Sequence, residues 1–256
     1  MSLEKDLNDL LQTVLTSNIQ SSCTAMQLIG CMDLTLLDAH ASLEAIQQAQ
    51  MQALTYKTAA ICLYAQHIAL LAPIPEALTV ATVINFPNAD QEADFCIQDI
   101  HNAVQQGVHE IDYVFPYQSY LSGNKTFALG HYKAIAEACS EQDLRLKIIL
   151  ETGAFPDMHT IYQASRELIP LGCSFLKTST GKNKEGATFA SVFAIVSAIK
   201  DSKTQCGLKV SGGIKTAEQA FAYARLGELV LEKPCDKSWF RIGASSLLKE
   251  LAKYKT

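Results

Sequence analysis

Residues 174–180 read Ser-Phe-Leu-Lys-Thr-Ser-Thr and residues 207–213 read Gly-Leu-Lys-Val-Ser-Gly-Gly. Each is a short apolar run with one lysine inside it and hydroxyl or glycine residues at its end. The two start 33 residues apart, room for a strand, a crossover helix and the return to a parallel neighbour. Six more runs keep a similar step, beginning near Leu28 (LIGCMDLT), Thr58 (TAAICLY), Leu78 (LTVATVINF), Glu110 (EIDYVF), Leu144 (LRLKIILET) and Arg241 (RIGASS). From first to last the steps are 30, 20, 32, 34, 30, 33 and 34 residues. Eight strand–helix units in series predict an α/β protein with the (β/α)8 arrangement of a TIM barrel. An open doubly wound sheet is the alternative, because periodicity does not distinguish a closed sheet from an open one.

The segments between the runs read as helices. Residues 90–106 place Phe95, Ile97, Ile100 and Val104 on an apolar side and stop at Gly107. Thr216-Ala217-Glu218-Gln219 has the form of a capping box, and residues 157–171 end at Gly172. Leu3, Leu7, Leu10, Leu11 and Leu15 fall at helical spacing, which predicts an extra helix over residues 1–20 packed on the barrel. No Pro/Gly-rich linker interrupts the pattern, so residues 1–256 are expected to form one domain.

Composition narrows the function. Hydrophobic residues make up 48% and charged residues 18%, which implies a sizeable core and excludes wholesale disorder. A net charge of -5 argues against nucleic acid as a partner, since a backbone binder needs a basic surface. It leaves room for a small phosphorylated ligand. No apolar run reaches the length of a membrane span. Glu4 and Asp6 stand where a signal peptide carries bases, so a cytoplasmic protein without a membrane partner is expected. Eight widely spaced cysteines with no C-x-x-C pair read as buried reduced thiols, and six scattered histidines give no metal motif. No metal and no organic cofactor are expected. Dimers are the commonest assembly, so a homodimer is the default expectation.

In a barrel of this kind the active site lies at the carboxyl ends of the strands. Polar residues there are Asp33 and Thr35 on the first run, Asp112 on the fourth, Lys177 on the sixth and Lys209 on the seventh. Buried singly, such charges are costly; placed together, two lysines and two aspartates compensate one another. Desolvation and a neighbouring cation both lower a lysine's pKa, and a neutral lysine attacks a carbonyl to form a Schiff base. A nearby aspartate can shuttle protons. After the last three runs come Thr178-Ser179-Thr180-Gly181-Lys182, Ser211-Gly212-Gly213-Ile214-Lys215 and Gly243-Ala244-Ser245-Ser246. Their glycines admit an anion to backbone amides, and a helix starting at Ala244 would point its first amides at that anion. Late barrel loops of this kind form a phosphate cradle. The pattern is neither a P-loop nor a dinucleotide fingerprint.

At these residues the chain resembles the deoxyribose-phosphate aldolases, a class I (Schiff-base) aldehyde-lyase family. The motifs are MDLT (32–35), AAIC (59–62), NFP (85–87), EIDYVFPY (110–117), ETG (151–153), FLKTSTGK (175–182), KVSGGIKT (209–216) and RIGASSLL (241–248). The resemblance implies reversible retro-aldol cleavage of 2-deoxy-D-ribose 5-phosphate to glyceraldehyde 3-phosphate and acetaldehyde, with a phosphorylated sugar and aldehydes as small-molecule partners. It makes Lys177 the Schiff-base lysine, Lys209 the second lysine that depresses its pKa, and Asp112 the proton-transfer aspartate. It places Asp33, Thr35, Cys62 and Thr180 in the substrate pocket. It places Gly181, Lys182, Gly212, Gly213, Gly243, Ser245 and Ser246 around the phosphate. Cys62, facing aldehydes, would be a site of inactivation. The chain departs from the family at Val210 and Ser211, where proline and then alanine are common, and at Lys215, where arginine is common. Another phosphosugar barrel aldolase or isomerase, and a non-catalytic barrel binding a phosphorylated metabolite, are the alternative readings.

Overall fold

The computed structural model describes residues 3–16, without the side chains of 13–16, and residues 23–254. The strands are β1 (Met32–Leu36), β2 (Ala60–Leu63), β3 (Val80–Ile84), β4 (Glu110–Val114), β5 (Arg145–Ile149), β6 (Phe175–Lys177), β7 (Gly207–Ser211) and β8 (Phe240–Ala244). The helices are α1 (Leu3–Thr16), α2 (Ala25–Gly30), α3 (Leu43–Tyr56), α4 (Ala65–Ile68), α5 (Ala93–Gln105), α6 (Tyr117–Leu121), α7 (Lys125–Glu141), α8 (Met158–Leu168), α9 (Phe189–Ser202), α10 (Ala217–Leu231) and α11 (Leu247–Leu251). All neighbouring strands are parallel, and the pairing of Met32 with Ile242 joins β1 to β8. The sheet therefore closes as a (β/α)8 barrel in strand order one to eight, which removes the open-sheet alternative.

Three sequence expectations need correction. The first run begins with Leu28 and Ile29, but these lie in α2, and the strand starts at Met32. Thr24 and Gln27 form a capping box over α2, which turns an apolar segment into a helix before the strand begins. In α5 the buried residues are Cys96, Ile100 and Ala103, and Phe95 points to solvent. Ala244 is the last residue of β8; the following helix, α11, starts only at Leu247. The capping box at Thr216 and Gln219 is present at the start of α10. The helix expected over residues 1–20 runs from Leu3 to Thr16 and packs against α8 and α9. Residues 1, 2 and 17–20 of that expectation, and the side chain of Leu15, lie outside what is described.

Two apolar regions result. The large one fills the space between sheet and helices, from Leu28 and Ile46 round to Val196 and Leu251. The small one, Ala60, Cys62, Ala81 and Val83, lies on β2 and β3 and excludes the helix-facing residues. Alternation along a strand sends every second side chain to the barrel interior. Opposite β2 and β3 that interior face carries charges instead of the branched residues that usually fill such barrels. Gly207 opens β7 because a Cβ there would lie 2.5 Å from the ring of Phe175 on β6. No helix among the described residues is long and apolar enough to cross a membrane.

Candidate active site

Lys177 ends β6, Lys209 stands in the middle of β7, and the two pair in register. Their amines meet at one carboxylate: Asp112 Oδ2 accepts from Lys177 Nζ at 2.7 Å and from Lys209 Nζ at 2.6 Å. Its other oxygen, Oδ1, accepts from Lys147 Nζ at 2.8 Å. Below, Asp33 takes Lys209 on Oδ2 at 2.5 Å and Arg241 on Oδ1 at 2.7 Å. Glu110 lies 2.6 Å from Lys147 and 3.5 Å from Arg241, and also pairs with the half-exposed Arg145. An array of ion pairs thus runs inside the barrel from Arg145 to Lys177.

The charges in this array do not balance if every group ionises. Buried in it are four cations, Lys147, Lys177, Lys209 and Arg241, and three carboxylates, Asp33, Glu110 and Asp112. Burial alone would raise the carboxylate pKa values, yet the lysines and Arg241 hold all three below the usual range. Burial also works against Lys147, Lys209 and Arg241, but the facing carboxylates win and raise all three. Lys177 is the exception. Burial, the largest effect, lowers its pKa with help from Lys209 and against the pull of Asp112. Of the four buried cations Lys177 is thus the one whose ammonium is least favoured; without its proton, three buried cations would face the three buried anions, with the half-exposed Arg145 at the rim.

Lys177 is also the one lysine of the array that reaches open space. It lies at the floor of a cleft of about 350 Å³ at the carboxyl ends of β1, β6, β7 and β8. The walls are Thr35, Thr180, Gly181, Lys182, Gly212, Gly213, Gly243, Ser245 and Ser246, all expected there from the sequence, together with Ser211 and Lys215. Gly212 has a positive φ of 88°, and a Cβ on Gly186 would fall 2.2 Å from its carbonyl oxygen. Two backbones cross at that wall where no side chain fits. Lys182 donates from Nζ to the Leu37 carbonyl at 2.7 Å and bridges the mouth. Ser211 donates to the Ser179 carbonyl at 2.5 Å and ties β7 to the loop after β6.

Two expected pocket residues do not line this cleft. Asp33 is fully buried beneath it and serves Lys209 and Arg241. Cys62 is fully buried as well, and burial, followed by the charge of Asp112, pushes its thiol up to about 11. Thiolate character and access govern cysteine reactivity, so the expected aldehyde sensitivity of Cys62 has no basis in its position. Thr35 lines the cleft, but its hydroxyl donates back to the Asp33 carbonyl at 2.8 Å.

Sequence reasoning missed four charged residues here. Lys147 sits in LRLKIILET with an apolar neighbour on either side, the same pattern that singled out Asp112 and Lys209. Glu110 and Arg241 open their apolar runs, where a charge carries no signal of a buried role. Glu151, in the ETG motif, has a positive φ of 58°, and its Oε2 accepts from the Thr180 amide at 3.2 Å and hydroxyl at 2.5 Å. Thr180 Oγ1 in turn accepts from the Lys182 amide at 3.1 Å. Glu151 thereby sets the shape of the loop that walls the cleft.

A primary amine with a lowered pKa, at the floor of a glycine- and hydroxyl-walled cleft, can add to a carbonyl once it gives up its proton, with a carboxylate and an ammonium beside it to move protons. Among solved structures the chain is similar to a Coccidioides immitis protein provisionally assigned as a deoxyribose-phosphate aldolase, at 25% identity and a TM-score of 0.80 over 99% of this chain and 98% of that one. It is similar to the aldolase QR15 at 26% identity and a TM-score of 0.74, over 88% and 96%. It shares the fold of the tetrameric deoxyribose phosphate aldolase of Aeropyrum pernix, at 22% identity and a TM-score of 0.78 over 98% of each chain. A family model described as DeoC/LacD family aldolase matches residues 9–253. With that match running over nearly the whole chain, the protein belongs to the DeoC/LacD family of aldolases.

Proposed function

We propose that this aldolase cleaves 2-deoxy-D-ribose 5-phosphate reversibly to D-glyceraldehyde 3-phosphate and acetaldehyde, through a Schiff base on Lys177. The observation that carries the reading is the position of Lys177: among the described residues it is the buried lysine whose pKa is lowered, and it stands at the floor of the cleft. The aldehyde of the open-chain sugar takes the Lys177 amine, and the carbinolamine loses water to give an iminium. The C3 hydroxyl gives its proton to Asp112, directly or through a water. The C2–C3 bond breaks, its electrons pass into the iminium, and glyceraldehyde 3-phosphate leaves. The resulting enamine is protonated at C2, with Lys209 as the adjacent cation, and hydrolysis frees acetaldehyde. The phosphate lies against Gly181, Gly212, Gly213, Ser245 and Ser246, where backbone amides and hydroxyls can donate to it. Holding that remote group positions the reacting end. The chemistry is that of a cytoplasmic deoxyribose catabolic enzyme.

The direct test is trapping. The protein is incubated with acetaldehyde and reduced with borohydride, and the modified peptide is mapped by mass spectrometry. An ethyl group on Lys177 is the expected product; an adduct on Lys209 instead reverses the two roles, and folded protein with no adduct removes the Schiff-base reading. If a keto-sugar phosphate is cleaved faster than the deoxy-aldose, the substrate assignment falls while the aldolase chemistry stands.

Two substitutions probe how the site is tuned. Lys209 remains a cation and lowers Lys177, so Lys209→Leu is expected to raise the pKa of Lys177. The acid-side limb of kcat/KM then moves to higher pH, and the rate at neutral pH falls; an unmoved limb refutes the tuning role. Glu151→Ala leaves the buried hydroxyl and amide of Thr180 without their acceptor, a loss of about 1–3 kcal/mol. Its expected signature is a KM for the phosphorylated sugar raised by roughly tenfold or more, with the trapping by acetaldehyde retained. A lowered kcat at unchanged KM would place Glu151 in the chemistry instead.

A further inference from the structure

A different chemistry is assembled at the amino-terminal end of the barrel. Cys173 precedes β6 and Cys206 precedes β7, and their sulfurs lie 3.3 Å apart. The backbone between them is fixed by the first rung of the ladder: Gly207 donates to the Ser174 carbonyl at 2.8 Å, and Ser174 donates to Leu146 at 2.8 Å. Tyr132 bonds through its hydroxyl to the Gly172 carbonyl and holds the turn before Cys173. Sulfurs in a disulfide are about 2.05 Å apart, so joining this pair needs roughly an ångström of side-chain motion. Access to the two thiols is unequal. Cys206 is buried, whereas Cys173 is partly exposed and opens on a surface cleft of about 390 Å³. Cys139, which lines the same cleft, is itself buried. A second pair, Cys31 and Cys235, has its sulfurs 3.9 Å apart, but both residues are buried.

We propose that Cys173 and Cys206 are a redox-active dithiol that consumes a hydroperoxide and closes a reversible cross-link between the amino ends of β6 and β7. Cys173 attacks first, because it is the less buried residue of the pair and lines the surface cleft. Its sulfur bonds to one oxygen of hydrogen peroxide, the O–O bond breaks, and the other oxygen leaves as water after taking the thiol proton. Cys173 is now a sulfenic acid. The sulfur of Cys206 then attacks that of Cys173, the S–O bond breaks, and the second oxygen leaves as water with the Cys206 proton. Two thiols have lost two electrons and two protons, and one peroxide has become two waters. A small dithiol reverses the change by exchange. The hydrogen bond between the sulfurs, and then burial, keep the Cys173 thiol above its ordinary range, so the oxidation is expected to speed up as pH rises. The cross-link closes a span of 33 residues and restricts the unfolded chain. It lies at the end of the barrel away from Lys177, and the inference does not depend on the proposed reaction.

The test uses the intact chain. Protein treated with hydrogen peroxide is denatured, alkylated with iodoacetamide and mapped by mass spectrometry. The expected product has one disulfide, joining the peptides of Cys173 and Cys206, with the other six of the eight cysteines alkylated. Its Tm is higher by a few degrees, and dithiothreitol restores both mass and Tm. Cys206→Ala is expected to stop the reaction at a sulfenic acid on Cys173, captured by dimedone. If that variant does not fold, Cys173→Ala, at the more exposed position, is expected to leave Cys206 an unoxidised thiol. A disulfide between Cys31 and Cys235, a disulfide of Cys173 with Cys139, or wild-type protein that gains only sulfinic acid or stays reduced overturns the proposal.

Discussion

Replacing Lys177 by alanine is expected to lower aldolase turnover by a factor on the order of 10⁴ or more, the scale seen when a covalent nucleophile is removed. The same substitution is expected to leave the fold intact. Both halves follow from the charge array. Lys177 is the surplus cation: its pKa is lowered by burial and Lys209, while Lys147, Lys209 and Arg241 are all raised. Without it, Asp112 keeps Lys147 at 2.8 Å and Lys209 at 2.6 Å, so no buried carboxylate loses its last partner. The loss on the structural side is one buried alkyl chain at the cleft floor. Kinetics on the sugar phosphate, beside thermal melting of the same preparation, check the two halves separately. Activity near the wild-type level would end the Schiff-base assignment. A large fall in Tm would show instead that Lys177 is held as a cation in the resting protein.

What the sequence disclosed follows from how locally each feature is encoded. Eight strands were legible because each is a short apolar run bounded by a turn or a cap, at a spacing a crossover helix sets. Leu28 and Ile29 look like a strand start by hydrophobicity, but Thr24 and Gln27 carry the same helix-start signature as Thr216 and Gln219. Phe95 was placed inside because it is apolar, although α5 turns Cys96, Ile100 and Ala103 inward. Lys177, Lys209 and Asp112 stood out as charges within apolar runs. Lys147 satisfies the same rule and escaped notice, since the long run around it read as a complete buried strand. Glu110 and Arg241 sit at strand starts, where a charge usually reaches solvent, and only closure of the barrel brings them together. The contact between Cys173 and Cys206 has no sequence signal at all, because it joins loops one strand–helix unit apart.

Lys147 carries the largest expected structural effect. Lys147→Met keeps an unbranched chain of similar length and removes a cation that lies 2.6 Å from Glu110, 2.8 Å from Asp112 and 3.3 Å from Asp33. With Lys177 unprotonated, the loss of Lys147 leaves Lys209 and Arg241 as the buried cations facing three buried carboxylates, and an uncompensated buried charge costs about 3–5 kcal/mol. In a chain of this size that corresponds to a fall in Tm of about 10 °C. The pH dependence gives the claim its direction. In the wild-type fold all three carboxylates titrate below their ordinary range. Their stabilisation is present above the unfolded carboxylate value, about pH 4, and is lost only as pH falls through the lower folded values. Lys147 is raised, so its own contribution is complete below about pH 10 and fades only as pH rises through its folded value. Without Lys147 the folded pKa values of Glu110 and Asp112 rise, and acid unfolding is expected to begin at a higher pH. Thermal melts across the acid range of wild type and Lys147→Met measure this. Lys147 and Lys177 touch opposite oxygens of the same aspartate at nearly equal distance, yet the balance of charge assigns one to the stability of the barrel and the other to its chemistry. A Lys147→Met protein with unchanged Tm and an unmoved acid limb would break that division, and with it the argument that Lys177 is the lysine that gives up its proton.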